Sequence, residues 1–229
     1  MTTILHIDSS ARPGRSDTQA HGSHTRRLSA KFIEHWRNFR PEDDVIYRDV
    51  GSHPPTPVSG DWIHAAFTKP EQREDGMHAV LAESDTLIDE LLRADVIVAG
   101  VPMYNFGMPA QMKAWIDNIV RVGRTFGFDR SREDVPYWPM VTGDKSLVVL
   151  SARGDFGYDP GGRVAHLNHV EAGVCSPLEY IGITDHHVAA IEYDEFGDDR
   201  TAQSIARAEA KTAEIVEHLV ARHRQTSAA

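Results

Sequence analysis

The chain has 229 residues, a formal net charge of −10, 41% hydrophobic and 25% charged residues, a composition that allows a sizeable core and reads as one α/β domain over 1–229. The charge excludes nucleic acid as a main partner, since no basic field is present to neutralise phosphates, and no apolar run approaches the ~20 residues of a membrane span. The first strand starts almost at once, without a basic-then-apolar leader, and the single Cys175 makes no internal disulfide, so a cytoplasmic location is expected.

Ile4–Ile7 reads as the first strand, followed by the turn-rich loop Asp8-Ser9-Ser10-Ala11-Arg12-Pro13-Gly14. A helix follows with Leu28, Phe32, Trp36 and Phe39 on one stripe. Ser23-His24-Thr25 lies just before the stripe, where either hydroxyl can cap the helix. A capped helix N-terminus in this place is an anion site. A second Ser-x-Thr, Ser16-Asp17-Thr18, lies seven residues earlier. Ser23 and Thr25 are preferred, because they stand at the right distance from Leu28 and Phe32 and because Asp17 would repel an anion. Arg12, Arg15, Arg26 and Arg27 read as solvated.

Asp44–Val50 reads as an edge strand. Residues 51–76 form a long irregular segment with Pro54, Pro55, Pro57 and Pro70, expected to be a lid or interface element with Trp62 and Phe67 as packing anchors. From Met77 to Arg93 the spacing of Met77, Val80, Leu81, Ser84, Leu87, Ile88, Leu91 and Leu92 is helical. Asp95–Gly100 is short, β-branched and unalternating, as in a strand buried on both faces. The loop Pro102-Met103-Tyr104-Asn105-Phe106-Gly107-Met108-Pro109 leads into a helix with Met112, Trp115, Ile116, Ile119 and Val120 inward. Such a junction is where open α/β sheets bind ligands. Its aromatic pair and asparagine suit a flat, hydrogen-bonding heterocycle.

Residues 121–144 make an irregular, aromatic excursion, either a structural hairpin or a pocket wall carrying Phe126 and Tyr137. Gly143-Asp144-Lys145-Ser146 is not a phosphate-binding P-loop: the upstream glycine is missing and a strand follows it. That strand, Lys145–Ser151, runs into Ser151-Ala152-Arg153-Gly154. A helix within 164–181, a strand at His187–Ile191 and a helix at Asp199–Arg222 with Ile205, Ala208, Ile215 and Leu219 inward complete the pattern, and the tail Gln225–Ala229 is expected to fray. Five strand–helix alternations imply a doubly wound parallel sheet with helices on both faces. The thirteen histidines show no metal-ligand spacing, and no residue stands out as a catalytic acid or base.

Pro-Met-Tyr-Asn-Phe at 102–106, with Lys113, Asp117 and Arg121-Val-Gly-Arg-Thr-Phe126 after it, resembles the FMN-dependent NADH:quinone oxidoreductases, or azoreductases. Ser9-Ser10 and Ser151-Ala152-Arg153-Gly154 extend the resemblance over nearly the whole chain. It implies a flavodoxin-like fold with a five-stranded sheet of order 2-1-3-4-5, which the absence of Gly-x-Gly-x-x-Gly after the first strand also favours. It further implies tightly bound, non-covalent FMN. Its phosphate would lie at Ser10, Ser23, His24 and Thr25. Its ring would lie along Pro102, Met103, Tyr104, Asn105 and Phe106, and would meet Ser151, Arg153 and Gly154 from the other side. Arg153 is either a flavin or substrate contact or a salt-bridged loop residue. Phe126, Tyr137 and Tyr158 would face substrate. The implied reaction is ping-pong: NADH or NADPH gives two electrons, which pass to a quinone or, adventitiously, an azo compound, in a homodimer. The alternative is a non-enzymatic flavodoxin-like electron carrier or a flavin-binding regulatory protein. The long segments 51–76 and 121–144 favour a substrate pocket. The chain departs from the family pattern in the inserted Ser16–Gly22 segment, in Ala152, and in Asp155, which stands where the family has glycine.

Overall fold

The computed structural model describes residues 1–226, so the expectation for the chain's tail falls largely outside the described residues. Five parallel strands, β1 (Thr3–Asp8), β2 (Asp44–Asp49), β3 (Val96–Pro102), β6 (Ser146–Ala152) and β7 (Asp185–Ile191), form one sheet in the order β2-β1-β3-β6-β7. Two three-residue strands, β4 (Phe126–Phe128) and β5 (Tyr137–Pro139), pair antiparallel apart from it. Counted without them, the main sheet has the flavodoxin-like order 2-1-3-4-5.

Parity along the strands decides where each helix packs. Leu5, Ile7, Ile97, Ala99, Val101, Leu147 and Val149 point to one face, which α3 (Asp75–Arg93), α4 (Ala110–Ile119) and α5 (Val170–Ile181) cover. Ile4, Val96, Val98, Val148, Leu150, Ala189 and Ile191 point to the other, covered by α1 (His24–Phe39) and α6 (Asp199–Thr226). Because both faces are buried, β3 reads as an uninterrupted apolar run and all its residues are buried. The helices bring Phe32, Trp36 and Trp115 into these layers, each fully buried. Burying such a side chain contributes about 2–3 kcal/mol relative to leaving it in water. Gly182 ends α5 at φ 117°, where its N–H reaches back to Leu178 and Glu179, a left-handed cap that glycine adopts without strain.

Some expectations are corrected. The segment 51–76 is not irregular throughout: it holds α2 (Gly60–Phe67), capped by the Ser59 hydroxyl, which accepts from Trp62 N–H, and a 3-10 turn at Pro70–Gln72. Ala65 and Ala66 face Leu81, with Trp62 and Met77 packed alongside. Phe67 lies one residue, about 100°, off that stripe and is 65% exposed, so it anchors nothing. Phe39, in the last turn of α1, is 40% exposed and meets the His35 ring edge-on at 5.2 Å. Val80 and Leu92 of α3 are also exposed; its core face is Leu81, Ser84, Leu87, Ile88 and Leu91.

Candidate functional site

The parallel registers Asp8↔Gly100 and Pro102↔Ala152 bring the ends of β1, β3 and β6 to one edge of the sheet. The loops leaving those ends, with one after β7, enclose a cleft of about 340 Å³. Ser10 and Arg12 line it from the first loop, and Ser23, His24 and Thr25 from the start of α1. Pro102, Met103, Tyr104 and Asn105 line it from the second loop, and Ala152 and Gly154 from the third. Asp194 and Glu195 close it from beyond β7.

The α1 end of the cleft is built for an anion. Ser23 is the extended N-cap; its hydroxyl accepts from Arg26 N–H at 3.2 Å and lies 3.0 Å from the Thr25 hydroxyl. The first turn of α1 carries no acidic side chain, and its first N–H groups have no acceptor within the helix. The Ser10 hydroxyl accepts from Arg12 N–H at 3.2 Å. Ser16 and Thr18 do not line the cleft. The segment between Arg15 and Ser23 closes on itself as a side loop: Ser16 N–H donates to Ser23 O and Ser23 N–H to Gly14 O. Within it Thr18 bonds back to Arg15 O, Asp17 pairs with Arg15, and the Ser16 hydroxyl sits 2.9 Å from His24 Nδ1.

Arg26 is not solvated. It is 6% exposed and donates to Ser10 O, Arg12 O, the Tyr47 hydroxyl and both carboxylate oxygens of Asp49, which the bidentate bond orients. Asp8 lies behind it, bonded by Ser29 and Tyr47. Burial pushes the Asp8 carboxyl up, but His6, Ser29 and Arg26 together hold it below its ordinary value. Burial likewise pushes the Asp49 carboxyl up, but the hydrogen bonds from Arg26 and Ser52 together hold it below its ordinary value. These contacts fix the first loop from beneath.

The second loop makes a tight turn. Asn105 (φ 49°) and Phe106 (φ 71°) are both left-handed, and Tyr104 and Gly107 exchange N–H···O bonds of 2.8 and 3.1 Å. This is a type I′ arrangement. Asparagine tolerates the conformation and phenylalanine is strained by it, at about 1–3 kcal/mol. Three contacts hold it: Met103 N–H donates to Ala152 O, His169 N–H to Phe106 O, and Ala11 N–H to the Tyr104 hydroxyl at 3.2 Å. The Asn105 amide, among the described residues, lines the cleft without an intramolecular partner.

At the far wall, Asp194 accepts from His24 Nε2 at 2.9 Å and lies 3.6 Å from Arg12. The His24 hydrogen bond, outweighing desolvation, lowers the Asp194 carboxyl. Gly154 has no room for a side chain: a Cβ there would stand 2.4 Å from Glu195 Oε1.

The structure brings together Ser10, Ser23, His24, Thr25, Pro102, Met103, Tyr104, Asn105 and Gly154. It does not bring the other candidates to this cleft. Phe106 belongs to the turn but is 45% exposed outside the lining. The Ser151 hydroxyl is buried without a partner among the described residues. Arg153 is 1% exposed and ion-paired with Asp159, Glu171 and Glu192, so its salt-bridged reading is the one the geometry supports. In the β4–β5 excursion Tyr137 stacks on Phe128 at 4.7 Å, and Phe126 meets Tyr137 and Tyr180 of α5 at tilted angles, 6.2 and 5.4 Å away, while Tyr158 sits buried in a separate cleft. The excursion is therefore a small hairpin. Arg12, Ala152, Asp194 and Glu195 are the lining residues that sequence reasoning missed. The pair 194–195 follows the last strand, so the ends of the sheet were the available signal.

The family model for the flavodoxin-like fold matches residues 2–216. Over 208 residues the chain is 44% identical to an FMN-dependent NADH:quinone oxidoreductase 2 of Idiomarina loihiensis, covering 91% of this chain and 86% of that one. It is 41% identical over 220 residues to the protein of the same name from Colwellia psychrerythraea, covering 96% and 100%. The fold superposes on an azoreductase of Bacillus anthracis with a TM-score of 0.80 at 23% identity, covering 94% and 99% of the two chains.

Proposed function

The chain belongs to the flavodoxin-like family of the FMN-dependent NADH:quinone oxidoreductases, and on that premise we propose that it holds FMN in the cleft and passes two electrons from NADH or NADPH to a quinone, with azo compounds as adventitious acceptors. The observation that carries this reading is the cleft itself. It joins an anion-ready helix N-terminus to a turn that offers an aromatic ring and a free amide.

The residues present fit the group. Ser10, Ser23 and Thr25, with the first N–H groups of α1, would hold the phosphate without any acidic side chain in the first turn. Met103, Tyr104 and Asn105 would hold the ring, with Ala152 and Gly154 lining the cleft from the third loop. Bound FMN supplies the two-electron hydride chemistry. The protein's part is positioning. Arg26 fixes the Ser10–Arg12 loop and the Tyr104–Gly107 bonds fix the second loop, and the Asn105 amide would meet the polar edge of a bound heterocycle. No side chain is assigned as a proton donor.

The chain acts as one domain over 1–229, in the cytoplasm, as a homodimer. Its cysteine usage supports the compartment. The exposed aromatics at the cleft rim, Tyr104 and Phe106, support a second copy closing the site. Among the described residues, no helix is long and apolar enough to cross a membrane, and no His, Cys, Asp and Glu group is placed to hold a metal.

The test is the visible spectrum of the purified protein. Yellow protein that bleaches on anaerobic NADH and recovers with benzoquinone supports the oxidoreductase. Protein that stays colourless after FMN is supplied refutes it. A carrier would be yellow but would need a partner reductase before NADH bleached it.

A further inference from the structure

A second cleft, of about 690 Å³, opens on the outer edge of the sheet, away from the one described. Its floor is Val188, Ala189 and Ala190 of β7, an edge strand whose outward side has no strand partner among the described residues. Ala165 and Ala172 continue this small-residue surface toward α5. The inner wall is Arg153 with Glu171, under the ring of Tyr158. Among the described residues, Arg153 Nε and Glu171 Oε2 are buried there without a hydrogen-bond partner, although buried polar groups are ordinarily satisfied. At the mouth stand two cations one turn apart on α6, Arg207 and Lys211. Lys211 reaches Glu214 at 3.2 Å on the open surface, and Arg207 has no carboxylate partner among the described residues.

We propose that this cleft is a binding site for a small aryl carboxylate, with its ring on Val188–Ala190 and its carboxylate on Arg207 and Lys211. The floor lacks large side chains and so leaves room for a flat ring. Ion pairing at the rim gives orientation, since guanidinium and carboxylate meet bidentately. The anion belongs at the α6 side, because Asp159, Glu171 and Glu192 surround Arg153 on the inner wall and would repel it. The site is also joined to the first cleft through the chain: Ala152 and Gly154 line one while Arg153, between them, lines the other.

The test uses 2-naphthoate and its neutral amide as probes, titrated calorimetrically into the intact protein with its flavin as purified. Three proteins are compared: the wild type, Arg207→Glu and Ala172→Trp. Both substitutions are at exposed positions outside the first cleft, so NADH–benzoquinone activity should be unchanged and serves as the folding control. We expect the naphthoate to bind the wild type more tightly than the amide. Arg207→Glu should weaken it about tenfold or more, the scale of one charge-assisted contact. Ala172→Trp should abolish it by filling the cleft. Three results overturn the proposal: no naphthoate binding, binding indifferent to both substitutions, or binding that FMN or NADH competes away. The last would place the probe in the first cleft. The first two outcomes do not depend on whether the oxidoreductase reading holds, and the melting temperature of each variant serves as a folding control independent of activity.

Discussion

Replacing Arg26 with methionine tests how the first loop is held. The wild-type guanidinium makes five hydrogen bonds of 2.7–3.0 Å, two of them to Asp49, and stands 3.5 Å from Asp8. The side chains of Arg26 and Asp8 are 7% and 5% exposed, and that of Asp49 is 19% exposed. Removing one partner of a buried pair costs about 3–5 kcal/mol. Because solvent reaches Asp49, the lower end applies, about 3 kcal/mol. For a chain of this length that corresponds to a fall in Tm of roughly 6–12 °C. The pH dependence gives a second signature. Asp8 and Asp49 are held below their ordinary values in the folded state. Their contribution is therefore complete above about pH 4, the unfolded carboxylate value, and is lost as the pH falls through the folded values. The gap between wild type and Arg26→Met should accordingly be full at neutral pH and narrow below about pH 4. Urea unfolding of the FMN-free protein, followed by tryptophan fluorescence, measures both. Adding Asp49→Leu should recover part of the loss by removing the stranded charge. A variant within about 0.5 kcal/mol of wild type, or a gap independent of pH, would refute this account.

Ser23→Ala removes the α1 cap and one wall of the anion site; it should lower stability by about 1 kcal/mol and weaken FMN retention, read from released-flavin fluorescence, whereas Thr18→Ala should leave retention unchanged. Phe106→Gly relieves a left-handed residue whose ring is 45% exposed, so it should raise stability by about 1 kcal/mol in denaturant titration, and a loss would show that the ring packs against more than the chain itself. Burial, the main cause, with Glu171 and Glu179 adding to it, pushes the Cys175 thiol up to about 11. Alkylation by iodoacetamide at pH 8 should then run roughly a hundredfold slower than for a free thiol, and comparable rates would refute the burial.

Local patterns carried most of the fold. The largely apolar runs at Ile4–Ile7, Asp95–Gly100 and Lys145–Ser151 named three central strands, because a strand covered on both faces reads as a near-continuous apolar run. Ser23 was legible as a cap because capping is a contact between residues three apart. The Tyr104–Gly107 turn stood out because Pro102 and Pro109 bracket it and Asn105 lies within it. Phe39 and Phe67 misled for a related reason: apolar character marks the stripe, but only the placement of the helix decides whether its last turn reaches the core.

The sequence by itself determined the central strands, the helix that starts the anion site and the loop that faces it, since each rests on residues close together in the chain, and the strand order followed from the family resemblance. Only the tertiary structure decided that Arg26 is a buried hub, because its solvation depends on Asp49, which β2 supplies 23 residues later. The same is true of Arg153, which is neutralised by carboxylates from α5 and from the end of β7. It is true of Asp194 and Glu195, which reach the cleft only because β7 pairs with β6. A charge in isolation prefers water, and only a partner brought by folding can make its burial favourable.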